Sequence, residues 1–290
     1  MIKTILNLTL LCFIQISLSD AKQSVNGSLE IQHRQFFNSG NFGDSKGQSS
    51  ARLSVELFKE WNEGNDSFEV ETFLRIDEED SERTHGDIRQ LIWTHYGDNY
   101  EFSAGIGRVF FGVTESQHLV DIINQTDLVE SIDGEDKLGQ LMLRYQRFTD
   151  IGTFDAYILP SFRQRTFEGE GGRLNAGILV DVDNALYESN DDTRNLDYAL
   201  RYSNTFADWD VGLSWFSGTS REPELLITEM PNVTQTIVRA QPLYPQLDQV
   251  GVDIQVTTNG WLLKLETVKR RFKDRLRENY IALTVGGSIR

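Results

Sequence analysis

The chain of 290 residues has one cysteine, five prolines and, beyond its N-terminus, no apolar run approaching the ~20 residues that a spanning helix needs. Cys12 lies in the N-terminal apolar segment. The rest of the chain therefore has no disulfide framework, no cysteine-metal site and no thiol nucleophile. Basic residues are outnumbered, 28 Lys+Arg against 44 Asp+Glu, for a net charge of −16. A pI near 4.7 argues against a nucleic-acid partner. With 39% hydrophobic residues the chain is too polar for a helical membrane protein, and at 11% aromatics it is too aromatic for disorder. The four histidines (His33, His85, His95, His118) are scattered, and neither H-E-x-x-H nor G-x-S-x-G occurs. Ser116 and His118 stand two apart, which matches no dyad spacing. The expectation is no enzyme and no cofactor, with an outer-membrane hydrolase as a weaker third reading.

What is present begins with an address. Met1-Ile2-Lys3 is a short basic segment, residues 5–18 are mostly apolar, and Ser17-Leu18-Ser19 or Ser19-Asp20-Ala21 offers small residues at a cleavage site. Residues 1–21 are expected to be a secretory signal and 22–290 the folded protein. An exported, cysteine-free, acidic chain fits the bacterial envelope, where the Asn-x-Ser/Thr triplets at Asn124 and Asn232 carry no glycan.

Beyond it the periodicity is two. Ala51-Arg52-Leu53-Ser54-Val55-Glu56-Leu57 alternates without a fault, as does Val250-Gly251-Val252-Asp253-Ile254-Gln255-Val256. Such alternation marks strands with one apolar and one polar face. Twelve segments are expected: 25–36, 50–61, 67–76, 87–96, 99–110, 139–148, 152–160, 194–203, 208–217, 248–257, 260–269 and 278–287. Long and short connections alternate between them without exception. An antiparallel up-and-down path therefore puts every long loop at one end and every tight turn at the other, the habit of outer-membrane barrels. The apolar faces, such as Leu141/Leu143/Tyr145 and Trp209/Val211/Leu213/Trp215, are free of charge, and Trp61, Tyr96, Tyr100 and Trp261 sit toward strand ends, where interfacial girdles belong.

Three runs carry a family resemblance: GIGRVFFGVTESQHLVDIINQTDLVESIDGEDKLGQ over 105–140, ILPSFRQRTF over 158–167 and GTSREP over 218–223. With them the chain resembles proteobacterial outer-membrane porin-like proteins over most of 22–290. The resemblance implies a β-barrel and suggests passage of small solutes. It carries no catalytic residues over. Such proteins usually end on an aromatic residue, whereas this chain ends Val285-Gly-Gly-Ser-Ile-Arg290. The expectation is a chain that lacks its last strands, with closure at twelve strands as the alternative.

The polar partners of the alternation supply the candidate site. Arg52, Glu69, Glu71, Arg75, Arg144 and Arg201 are expected to line a lumen, together with Glu56, Arg89, Asp155, Asp253, Lys264 and Glu266. The alternative is a salt-bridged interior with no open channel. Thr114-Glu-Ser-Gln117 reads as a capping box opening a short amphipathic helix over 115–124, with Leu119, Ile122 and Ile123 at helical spacing. That element, with Thr114, Gln117, His118 and Asp121, either folds into the barrel mouth as a constriction or packs on the rim. Arg163 and Arg165 read as a solvated loop pair, though an attraction for anionic solutes or lipopolysaccharide phosphate stays open. The acidic clusters at 77–80, 133–136, 181–183 and 191–192 read as solvated loop charge rather than Ca²⁺ sites, since none has an EF-hand spacing. No metal is expected.

The fold class expected is all-β, an antiparallel up-and-down transmembrane β-barrel of about twelve strands in the Gram-negative outer membrane. The function expected is a porin-like channel for passive passage of small hydrophilic solutes. The alternative is a non-conducting barrel acting in structure or surface interaction through its long loops. The partners are outer-membrane lipid, lipopolysaccharide and small hydrophilic solutes, with no nucleic acid and with homo-oligomerisation left open.

Overall fold

The computed structural model describes residues 10–20, 22–38, 45–115, 117–131, 133–173, 175, 177–230, 238–258 and 260–289. The alternating segments form strands because one face of each is apolar and the other polar. They join into one antiparallel meander. Its members are β1 (Leu10–Asp20), β2 (Gln23–Gln35), β3 (Gly47–Trp61), β4 (Asp66–Asp77), β5 (His85–Tyr96), β6 (Tyr100–Gly107), β7 (Gln140–Thr149) and β8 (Gly152–Leu159). It continues through β11 (Asp197–Phe206), β12 (Trp209–Thr219), β15 (Gln246–Thr258), β16 (Trp261–Phe272) and β17 (Tyr280–Ile289). Each of the twelve strands from β2 onward ends within three residues of its expected bounds.

The order is β1-β2-β3-β4-β5-β6-β7-β8-β11-β12-β15-β16-β17, thirteen strands among the described residues. Among the described residues β1 pairs only with β2 and β17 only with β16, so the sheet is not closed. β1 runs along β2 from Leu10↔His33 to Asp20↔Gln23, inside the stretch expected to be a signal. Residues 1–9 and Ala21 lie outside the described residues.

Two long loops carry a second, smaller sheet that the alternation did not reveal. It comprises β9 (Ile178–Val180), β10 (Leu186–Tyr187), β13 (Glu224–Glu229) and β14 (Val238–Tyr244). β9 and β10 both run parallel to β14, which corrects the expectation of antiparallel pairing throughout. Strands of two and three residues are too short for periodicity to declare.

The apolar face of the large sheet is open to the surroundings: Leu53 is 45%, Leu143 42%, Val250 52% and Ile281 72% exposed. The opposite face is buried and mixed. Arg75, Arg89, Asp253 and Glu266 lie there with Met142, Tyr157, Ala199 and Phe216. What buries them is chain from the 108–139 connection, which supplies Phe111, Val120, Ile122 and Ile123 to the one large apolar cluster. Among the described residues no helix is long and apolar enough to cross a membrane, which says nothing of a β-barrel.

Candidate functional site: a loop held on the polar face

Strand register sets Arg52 of β3 directly opposite Arg75 of β4, and Glu56 opposite Glu71. Like charges facing each other across strands are unfavourable. Glu30 of β2 stands opposite Arg52 and 3.9 Å from Arg75, and the 108–139 loop supplies closer partners for Arg75 and Glu71. Glu130 grips Arg75 through two bonds, Nε to Oε2 at 2.7 Å and Nη2 to Oε1 at 2.6 Å, and also takes Arg52 Nη1 at 3.3 Å. Arg108, just past β6, pairs with Glu71. Asp127 accepts from Arg89 Nη2 at 2.5 Å and Thr166 Oγ1 at 2.8 Å, and bonds His85 Nε2 at 3.0 Å. Burial pushes the Asp127 carboxyl up, but the His85 contact and the Arg89 charge outweigh it and hold the group below its ordinary value.

On the far side Glu266 of β16 is fully buried. Its Oε1 accepts from the Val113 and Thr114 N–H groups at 2.8 and 2.9 Å and from the Thr114 hydroxyl at 2.7 Å. Its Oε2 takes the Val120 N–H at 3.2 Å. One carboxylate thus satisfies backbone donors that an irregular buried loop would otherwise leave unpaired. Gly112 makes the approach possible. Its φ is +123°, and a Cβ there would sit 2.5 Å from Glu266 Oε1.

The expected helix over 115–124 is not formed: among the described residues of that stretch there is no helical turn. The single proton of the Thr114 hydroxyl lies between two acceptors, Glu266 Oε1 and the Gln117 carbonyl at 2.6 Å, and the side chain caps no N–H, so the capping box is corrected as well. The apolar spacing that suggested a helix reflects burial on several sides, since Val120, Ile122 and Ile123 are all under 4% exposed. Ser116, whose spacing from His118 matches no dyad, lies outside the described residues, as does Asn232.

Of the loop residues expected at a constriction, Thr114 sits on the wall, while Gln117 is exposed. His118 bonds Glu135 Oε1 through Nε2 at 2.8 Å. Asp121 is buried beside Lys137 Nζ at 3.3 Å, and burial drives its carboxyl above its ordinary value. The wall residues lie where expected, on the polar face, and most are paired. Arg144 meets Asp155 through Nε and Nη2 at 2.9 and 2.6 Å. Arg201 reaches across β12 to Asp253, with two bonds of 2.9 Å. Gly212 lies between them, and a Cβ there would stand 2.4 Å from the Asp253 oxygens. Arg201 also covers the Phe111 ring at 4.7 Å. Lys264 pairs with Glu115 at 2.6 Å. Glu69 is half-buried, with no ion-pair partner among the described residues.

Two surface expectations are corrected. Arg163 is no solvated charge: its Nη1 donates to Asp87 Oδ1 at 2.7 Å and to the Gly139 carbonyl at 2.8 Å. Arg165 turns inward, into a cleft beneath the loop. In the 77–80 cluster Asp77 is held by Arg83 Nη1 at 2.5 Å, and Asp80 is buried against the Gly169 N–H. Both end up inside because buried arginine and backbone donors stand ready for them. Glu130, Asp127, Arg83 and Arg221 escaped the sequence reading, since no periodicity places a loop charge. Among the described residues no three His, Cys, Asp or Glu side chains gather as a metal site would require.

No family model matches the chain, and a comparison with curated proteins gives no match.

Proposed function

We propose that the chain is a porin-like channel of the Gram-negative outer membrane, narrowed by the 108–139 loop lying on the inner wall. The observation that carries this reading is charge complementarity between loop and wall. Of the like-charged register pairs Arg52/Arg75 and Glu56/Glu71, Arg52 and Arg75 meet Glu130 of the loop and Glu71 meets Arg108. A wall encoded to receive that loop, together with an apolar, uncharged outer face, supports a barrel whose interior is its working surface. An exposed apolar face of this extent requires a non-aqueous neighbour, and lipid is the one that strands of eight to fifteen residues fit. The pairs Arg144–Asp155 and Arg201–Asp253 set cations and anions on the inner face, which suits small hydrophilic solutes.

The test is conductance of the folded chain in planar bilayers. Discrete, ohmic steps are expected, with ion selectivity changed by neutralising Arg144 and Arg201. Folded protein that inserts without conducting would reject the channel. It would favour the second reading, a non-conducting barrel, for which the apolar packing of Phe111, Val120, Ile122 and Ile123 in the interior speaks.

A further inference from the structure

The cleft between the loop and the wall strands has a volume of about 280 Å³. Its charged floor is unevenly paired. Lys137 is matched by Asp121 at 3.3 Å, Arg270 by Glu222 at 2.7 Å and Arg221 by Asp197 at 2.6 Å. Arg165 has no carboxylate within ion-pair distance among the described residues. Its only side-chain hydrogen bond there is from Nε to Gln125 Oε1 at 3.3 Å. Burial pushes the Arg165 guanidinium down from its ordinary value, and Arg270 adds like-charge repulsion that the nearby Glu222 opposes. The remaining carboxylates, Asp133 and Glu135, are exposed and stand at the rim with His118.

A second, independent observation concerns Arg221, 4% exposed. Its Nε donates to the Ile123 carbonyl at 3.1 Å and its Nη1 to Asp197 and the Thr219 carbonyl, at 2.6 and 2.7 Å. Its Nη2, equally buried, has no hydrogen-bond partner. The guanidinium also lies over the Phe162 and Phe216 rings, at 5.3 and 5.1 Å, and a buried nitrogen left without an acceptor costs free energy that an incoming anion would recover. Arginine forks suit oxygen anions, which they bind by two parallel bonds.

We propose that this cleft is a binding site for a small soluble oxyanion, a phosphate or phosphate-like group, received by Arg165 and the free Nη2 of Arg221. The site lies on the inner, polar side of the sheet, away from the face offered to lipid, which favours a dissolved anion over a lipid headgroup. The proposal stands on the cleft itself and holds whether or not the lumen conducts.

The test is isothermal titration of the folded full chain in detergent with inorganic phosphate, at fixed ionic strength against chloride. Saturable one-to-one binding is expected, about tenfold or more weaker in Arg165→Gln and in Arg221→Lys, as the loss of a charge-assisted hydrogen bond implies. Arg221→Lys keeps the charge facing Asp197 and removes only the fork, so it decides the matter if Arg165→Gln fails to fold. Arg194→Gln, an exposed change of the same charge, should leave binding unaltered. No binding by the wild type, or equal loss in Arg194→Gln, would overturn the site. So would binding confined to micelles doped with a phosphorylated lipid. Conductance measured in chloride reports separately on the channel, so either idea can fail alone.

Discussion

At the scale of single residues, the interior is built from charges that meet specific partners across strands and loop. Gly212 is the plainest case, since Arg201 and Asp253 meet across the space its missing side chain leaves. Gly212→Ala should cost about 1–3 kcal/mol through overpacking alone, read as a lower urea midpoint for the folded band on unheated gels. Asp127 and Asp121 are both buried but poised oppositely. The Asp127 carboxyl is held low, so its stabilisation is present above the usual carboxylate range and lost as pH falls through its folded value. Asp127→Asn should therefore destabilise at neutral pH by about 3–5 kcal/mol, the usual cost of breaking a buried pair, with the deficit shrinking in acid. Asp121 is raised, so its contribution is present in acid and lost as pH rises through its folded value. Asp121→Asn should be neutral or stabilising at pH 7, by the same midpoint. A large loss in Asp121→Asn would refute this assignment.

At the scale of elements, the strands were legible and the loop's conformation was not. Leu53/Val55/Leu57 and Leu141/Leu143/Tyr145 announce strands because a two-sided surface leaves a two-residue period. The alternation of long and short connections gives the up-and-down path. Leu119, Ile122 and Ile123 gave the wrong answer for a physical reason. A loop buried on several sides shows apolar residues at mixed spacing, and over ten residues that imitates a helix. The wall residues were readable as polar partners, but their specific mates were not. Glu130 and Asp127 find Arg75 and Arg89 across 55 and 38 residues of sequence. The loop should be bound as a unit, so Val120→Asp, which buries a charge beside Gly251 and Ser214, should free it. Limited proteolysis is expected to cut that variant within 114–135 while the wild type resists. Equal resistance would contradict the packing.

At the scale of the molecule, two faces of one sheet divide the work. The apolar face carries Leu53, Leu143 and Val250 in the open, and the polar face is folded around its own loop. If lipid covers the first, Leu143→Arg should cost about 2–4 kcal/mol where the strand crosses the bilayer midplane, while Gln146→Arg on the inner face of β7 should cost far less. Refolding yields into lipid vesicles measure the difference, and equal costs would remove the membrane assignment. The edges at β1 and β17 leave backbone donors and acceptors unpaired in the described sheet, an arrangement that lipid does not tolerate. A membrane location therefore requires both edges to be paired or covered.

The most direct test of the account is single-channel conductance of Glu266→Ala against the wild type. Three loop N–H groups converge on Glu266, with the Thr114 hydroxyl beside them, so its removal should release the loop from β16 and give larger or noisier steps in a protein that still folds. Unchanged steps in the folded variant would contradict the claim that this loop, held on this wall, sets the width of the pore.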